Sequence, residues 1–231
     1  MFKQSTGTYN FLRLLSILAL FTCNQCSFFR RNTIGKVLKK YQEPVSKKLS
    51  PLFKKKGLPF PTKSLEILVF KKEAKVELWT QKQDQLQYIK SYAMTTNSGV
   101  SGPKLREGDR QIPEGFYSVV GLNPNSRFHL SMKIDYPNRF DLEMAKKEGR
   151  ENPGTNIFIH GKAASIGCVA IGDRNIEELF VLTALTGKDN VKVKIYPNDI
   201  RGGGTFTKCK VCPDWLPTLY EKLVEDQLRY K

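Results

Sequence analysis

Residues Ile157 to Ile171 read I-F-I-H-G-K-A-A-S-I-G-C-V-A-I, two apolar runs joined by a short turn-forming segment. The triplet Ile157-Phe158-Ile159 reads as a buried strand that delivers His160 to its end. Gly161 to Gly167 supply a tight turn, and Cys168 opens the second apolar run. The histidine and the cysteine stand eight positions apart and could form a catalytic pair. A thiol is a poor nucleophile until it loses its proton, and an imidazole within hydrogen-bond reach accepts that proton. Gly167 leaves backbone N–H groups unhindered beside the thiol, the usual means of stabilising the oxyanion that forms when an amide is attacked. On spacing alone, an ordinary buried cysteine and a satisfied strand-end histidine remain the alternative.

The surrounding sequence is mainly β. Leu65 to Phe70 and Val76 to Thr80 read as a hairpin joined by the polar turn Lys71 to Lys75, and Leu86 to Thr95 as a third strand. Thr96 to Gly115, with four glycines and two prolines, reads as a long loop, a length that is often functional. Phe116 to Val120, Phe128 to Ile134 and Val191 to Tyr196 are further strands. After Cys168, Asp173 is a plausible N-cap for a helix whose face is Ile176, Leu179, Phe180 and Ala184, ending near Gly187.

The segments Ile159-His160-Gly161 and Ser165-Ile166-Gly167-Cys168 resemble the cysteine-nucleophile signature of the L,D-transpeptidase catalytic domain, the YkuD-like family. The resemblance extends through Gly102 to Tyr117 (G-P-K-L-R-E-G-D-R-Q-I-P-E-G-F-Y) and Ser126 to Asn138, blocks that look like the YafK-type branch, and spans about Leu65 to Pro197. It implies a β-sandwich-like fold with a flanking helix after the nucleophile. It also implies acyl transfer through a thioester, with Cys168 as nucleophile, His160 as general base and acid, and Gly167, Gly161 and Ser165 in support. The Gly161 carbonyl would orient the imidazole. The implied substrate is a peptidoglycan stem peptide, attacked at the L-centre of its diamino acid. An amine acceptor then forms a link, possible partners including a wall-attached lipoprotein, whereas water cleaves. The amidase or carboxypeptidase reading and a non-catalytic wall-binding lipoprotein are the alternatives. Two departures stand out: Ile166 replaces the histidine of the common S-H-G-C pattern, and Ala170 replaces the arginine two residues beyond the cysteine. The second removes a carboxylate-binding group and leans the reading towards cleavage. Weaker substrate-groove candidates are His129, Ser131, Lys133, Tyr136 and Arg110.

The ends carry other signals. Lys3, Arg13 and the apolar stretch Leu14 to Phe21 read as an export signal over residues 1–22, and Leu20-Phe21-Thr22-Cys23 as a loose lipidation motif at Cys23. This places the mature protein in the periplasm or cell envelope. Residues 23–62 read as a basic helix and a proline-broken linker: Arg30 to Lys56 holds ten Lys or Arg against Glu43 alone, +9 of the chain's +16. This stretch is either a solvated spacer or a contact to a membrane surface. Nucleic acid is excluded as a partner by the export signal and the lack of a binding motif. The catalytic domain is expected over 63–198. An extension over 199–231 follows, with Cys209 and Cys212 paired locally and an amphipathic helix from Asp214 bearing Trp215, Leu219 and Leu223. A redox role for the two cysteines lacks a βαβ context, and zinc lacks ligands, so neither a metal nor an organic cofactor is expected.

Overall fold

The computed structural model describes Met1, residues 31–207, Cys209 and residues 212–231; the export segment and Cys23 lie outside the described residues. In chain order the elements are α1 (Ile34–Lys55), β1 (Leu65–Phe70), β2 (Lys75–Lys82), β3 (Gln85–Ala93), β4 (Gly115–Ser126), β5 (His129–Ile134), α2 (Arg139–Lys147), β6 (Phe158–His160), β7 (Val169–Ala170), α3 (Asp173–Thr186), β8 (Val191–Tyr196) and α4 (Leu216–Gln227). The protein is mainly β, with α3 following the nucleophile segment and helices at both ends. The strands hydrogen-bond in the order β3-β2-β1-β8-β4-β5-β6-β7. Strand β4 joins the two halves: Gly115 to Ser118 pair with β8, and Val119 to Ser126 pair with β5 across two irregularities that bend the ladder.

Successive side chains of a strand face opposite ways, and here the alternation feeds two cores. Leu65, Ile67 and Val69 of β1 and Val191, Val193 and Ile195 of β8 pack with α1 and α3. Leu68, Phe70, Trp79 and Tyr196 face the other way, onto Phe206, Leu216, Leu219, Leu223 and Tyr230 of the C-terminal segment. Because both of its faces are covered, β1 reads in sequence as a nearly continuous apolar run, whereas Lys192 and Lys194 interrupt β8.

Three expectations change. Helix α1 does not stop at the first proline but runs through Pro44 and Pro51 to Lys55. Each proline deletes one helical N–H donor and crowds the preceding turn. The buried stripe Val37, Val45, Leu49 and Phe53 holds both halves against the core, so packing overrides the local penalty. The linker therefore shrinks to the short connection after Lys55. Asp173 is not the N-cap of α3: Gly172 takes that place, and the Asp173 carboxylate accepts the Lys162 backbone N–H at 2.7 Å. Helix α2 was not anticipated, although Asn138 and Asp141 form a reciprocal capping box that the sequence spells as N-x-x-D. No described helix is long and apolar enough to cross a membrane.

Candidate active site

Strands β6 and β7 pair in parallel, with Ile159 opposite Val169 and His160 opposite Ala170. Residues two apart on a strand share a face, so this register sets Cys168, one residue before β7, on the same face as Phe158 and His160. On the other side of β6, Ser131 pairs with His160 and Lys133 with Phe158. The cysteine, the histidine, Ser131 and Lys133 therefore come from one face of three adjacent strands.

His160 is buried, with its Nδ1 2.6 Å from the carbonyl oxygen of Gly161 and the Phe128 ring 4.5 Å away between centroids. A carbonyl only accepts, so this contact assigns the proton to Nδ1 and leaves the Nε2 lone pair free. Burial lowers the imidazole pKa, opposed by the bond to Gly161, and favours the neutral ring. Gly161 is needed here because a side chain would collide with the Asp173 carboxylate and the Phe128 carbonyl.

Cys168 is a free, partly buried thiol whose Sγ lies 3.8 Å from the Asn156 carbonyl. No hydrogen bond joins it to His160 in this state. Burial raises the thiol pKa, while the Phe158 backbone N–H and the Lys104 ammonium act in the opposite sense. Both directions favour a neutral thiol and a neutral imidazole at rest. The Ser165 hydroxyl closes the turn from both sides, accepting from the Cys168 N–H at 2.9 Å and donating to the Cys168 carbonyl at 2.7 Å. The Gly167 N–H donates to Ser98 Oγ at 2.9 Å. Both N–H groups flanking the thiol are thus held by hydroxyl oxygens. Gly167 has φ +121, and a Cβ there would press on the Gln111 carbonyl at 3.1 Å.

The weaker candidates separate. Ser131 and Lys133 lie on the shared face, Ser131 buried and Lys133 donating to the Asn156 side chain at 2.9 Å. His129 turns away, its Nε2 2.7 Å from Glu177 and its ring edge-on to Tyr41 of α1. Tyr136 is buried and donates towards the carbonyls of Pro153 at 2.8 Å and Lys104 at 3.2 Å. Arg110 is exposed on the turn behind Gly167. Cys209 and Cys212 are disulfide-bonded, with Cys209 packed where a Gly102 side chain would stand. Among the described residues, no group of three or more His, Cys, Asp or Glu is placed to hold a metal ion.

Sequence reasoning missed Ser98, Asn156 and Lys104. Ser98 is 69 positions from Gly167, and the Thr96 to Ala170 bridge, with Thr95 bonded to the Ala170 and Lys162 carbonyls, brings its loop to the turn. That loop is pinned from below by buried Lys71. Its ammonium donates to the Gly102 carbonyl at 2.7 Å, the Ile112 carbonyl at 2.9 Å and the Glu114 carboxylate at 2.8 Å.

The fold and this cysteine and histidine arrangement define a catalytic-domain class, and the family model of the L,D-transpeptidase catalytic domain (YkuD) matches residues 65–195. The chain belongs to that family. YafK of Escherichia coli (strain K12), named as an L,D-transpeptidase candidate, is 40% identical over 136 residues, 57% of this chain and 53% of the relative. The chain thus spans about half the length of the curated relatives it matches. Among solved structures, the helical cell shape determining protein Pgp2 from Campylobacter jejuni is 22% identical with a TM-score of 0.48, covering 58% of this chain and 48% of that one. Bd1075 of Bdellovibrio bacteriovorus is 22% identical with a TM-score of 0.42 over the same shares.

Proposed function

We propose that this chain is a cysteine acyltransferase of the cell envelope that opens an amide bond in peptidoglycan stem peptides at the L-centre of the diamino acid. The observation that carries the reading is the register that sets Cys168 and His160 on one face, with Nδ1 committed to Gly161 and Nε2 free. When the substrate carbonyl arrives, the thiol swings from Asn156 towards Nε2, the proton passes to the imidazole, and sulfur attacks the carbonyl carbon. The developing oxyanion takes the place of the Ser98 hydroxyl on the Gly167 N–H. Collapse breaks the C–N bond, imidazolium returns its proton to the departing amine, and a thioester on Cys168 remains. An amine acceptor then yields a new link; water, activated by the same imidazole, yields cleavage and restores the thiol. The buried Ala170, standing where an arginine is common, removes one carboxylate-binding group and leans the reading towards the second fate. The basic outer face of α1 would hold the enzyme close to an anionic surface.

The test is incubation of the purified protein and its Cys168→Ala variant with defined tetrapeptide and diamino-acid-linked muropeptides, with products identified by mass spectrometry. Products cut or exchanged at the diamino acid with the intact thiol alone are expected. Identical profiles from both proteins would overturn the reading.

A further inference from the structure

The missing arginine leaves the substrate's carboxylate without an obvious partner, yet a cationic cavity adjoins the nucleophile turn from another direction. It encloses about 360 Å³ and is lined by Ser101, Gly102, Leu105, Arg106, Gln111 and Arg150, among others. Gln111 is shared by both places: its side chain borders the cavity, and its backbone carbonyl packs against Gly167.

The charges in this cavity are not equally available. Arg150 is committed, donating to the Glu148 carboxylate through Nε at 2.8 Å and to the Leu105 carbonyl through a terminal nitrogen at 2.6 Å. Asp109 is also saturated. One oxygen accepts from the Lys104 ammonium at 2.7 Å and the Gln111 N–H at 3.0 Å. The other accepts from the Leu105 N–H at 2.8 Å and the Arg106 N–H at 3.0 Å. Although burial opposes it, this donor set holds the Asp109 carboxyl below its ordinary range, as an anion already spoken for. The Arg106 guanidinium, by contrast, has no hydrogen-bond or ion-pair partner among the described residues. Its backbone is fixed by Asp109 on the N–H side and by Lys104, which donates to the Arg106 carbonyl at 2.9 Å. A fixed backbone carrying one unpaired planar fork of donors suits a carboxylate. The Lys104 ammonium that holds Arg106 also acts to favour the Cys168 thiolate, and Gln111 joins the cavity to the turn that carries it.

Resting on the acyl-transfer reading above, we propose that Arg106 and its cavity form a carboxylate subsite, which receives the free carboxylate at the second centre of the diamino acid whose L-centre carbonyl Cys168 attacks. It replaces, from the loop, the cation that Ala170 leaves out of the strand.

Binding can be separated from turnover. The Cys168→Ala protein is titrated with two synthetic stem peptides, one carrying the diamino acid's free carboxylate and the other a carboxamide at that position. The carboxylate peptide is expected to bind about tenfold tighter or more, the range of a charged hydrogen-bonded pair. Adding Arg106→Gln should abolish the ratio, and Arg106→Lys should restore part of it. The exposed, unpaired side chain makes the thermal midpoint of each variant equal to that of its parent. A ratio unchanged by Arg106→Gln, no preference at the outset, or no binding of either peptide would each overturn the subsite. The two readings also fail differently. Cys168-dependent products without an Arg106-dependent preference leave the acyltransferase standing, whereas the preference without such products leaves the subsite and removes the chemistry.

Discussion

Two serines divide the work around the thiol unequally. Ser165 binds both the N–H and the carbonyl of Cys168, so its loss frees the turn that aims Sγ. Ser98 holds only the Gly167 N–H, the group that an oxyanion needs. Ser165→Ala is therefore expected to lower kcat about tenfold to a hundredfold by misplacing the nucleophile. Ser98→Ala should leave kcat at or above the parent value and lower the folding free energy by about 1 kcal/mol. Steady-state kinetics on both variants checks the contrast, and equal losses would contradict it. Proton bookkeeping gives a second expectation. Because burial sets the His160 pKa below the ordinary 6.5, the imidazole stays a competent base into mildly acidic solution. The acid limb of kcat/KM should fall below pH 6.5, and a limb above that value would count against His160 as the base. His160, Cys168 and Ser165 were legible because their roles lie within one short segment of strand and turn. Ser98 and Lys104 were not, since only tertiary closure of the 94–114 loop brings them to the site.

At the level of elements, strands read well and proline-bearing helices badly. Strand β8 has the bounds its alternation dictates, Val191 to Tyr196, because Val191, Val193 and Ile195 share one buried face while Lys192 and Lys194 point the other way. The prolines in α1 gave a local stop signal that buried contacts outweigh, and no local pattern could reveal those contacts. The β3 to β4 loop also owes its shape to something non-local, the pair Lys71 and Glu114, which the sequence showed only as turn residues. Both side chains are almost wholly buried, and Glu114 additionally accepts from Tyr220 of α4 at 2.7 Å. Burial pushes the Lys71 ammonium pKa down, and the Glu114 carboxylate opposes this. Removing one partner strands a buried charge, so Glu114→Leu is expected to cost about 3–5 kcal/mol and to loosen the loop that carries Ser98 and Arg106. The double variant Lys71→Met, Glu114→Leu should recover much of that stability. Chemical denaturation of the three proteins measures it; a double variant no better than the single would show that the loop depends on the lysine's carbonyl contacts instead.

For the whole molecule, the family-matched span ends at residue 195, yet the fold does not. Leu68, Phe70 and Tyr196 are fully buried, and what covers them is the C-terminal segment, through Phe206, Leu216, Leu219, Leu223 and Tyr230. The extension also reaches the catalytic loop, through Tyr220 on Glu114 and through Cys209 against Gly102. The amphipathic pattern of α4 was readable, but that it closes a second core was not: the outward residues of β1 and β8 looked like ordinary strand positions. Burying Leu216, Leu219, Leu223 and Tyr230 is worth roughly 6–12 kcal/mol together, at about 1.5–3 kcal/mol each. That matches the whole stability of a typical domain, about 5–15 kcal/mol. Deleting residues 205–231 should therefore yield a chain that lacks a cooperative thermal transition and binds a hydrophobic dye, despite retaining the complete family-matched span with His160 and Cys168. A truncated protein that melts cooperatively near the parent midpoint would make the extension an accessory. Loss of the transition would make it part of the catalytic fold.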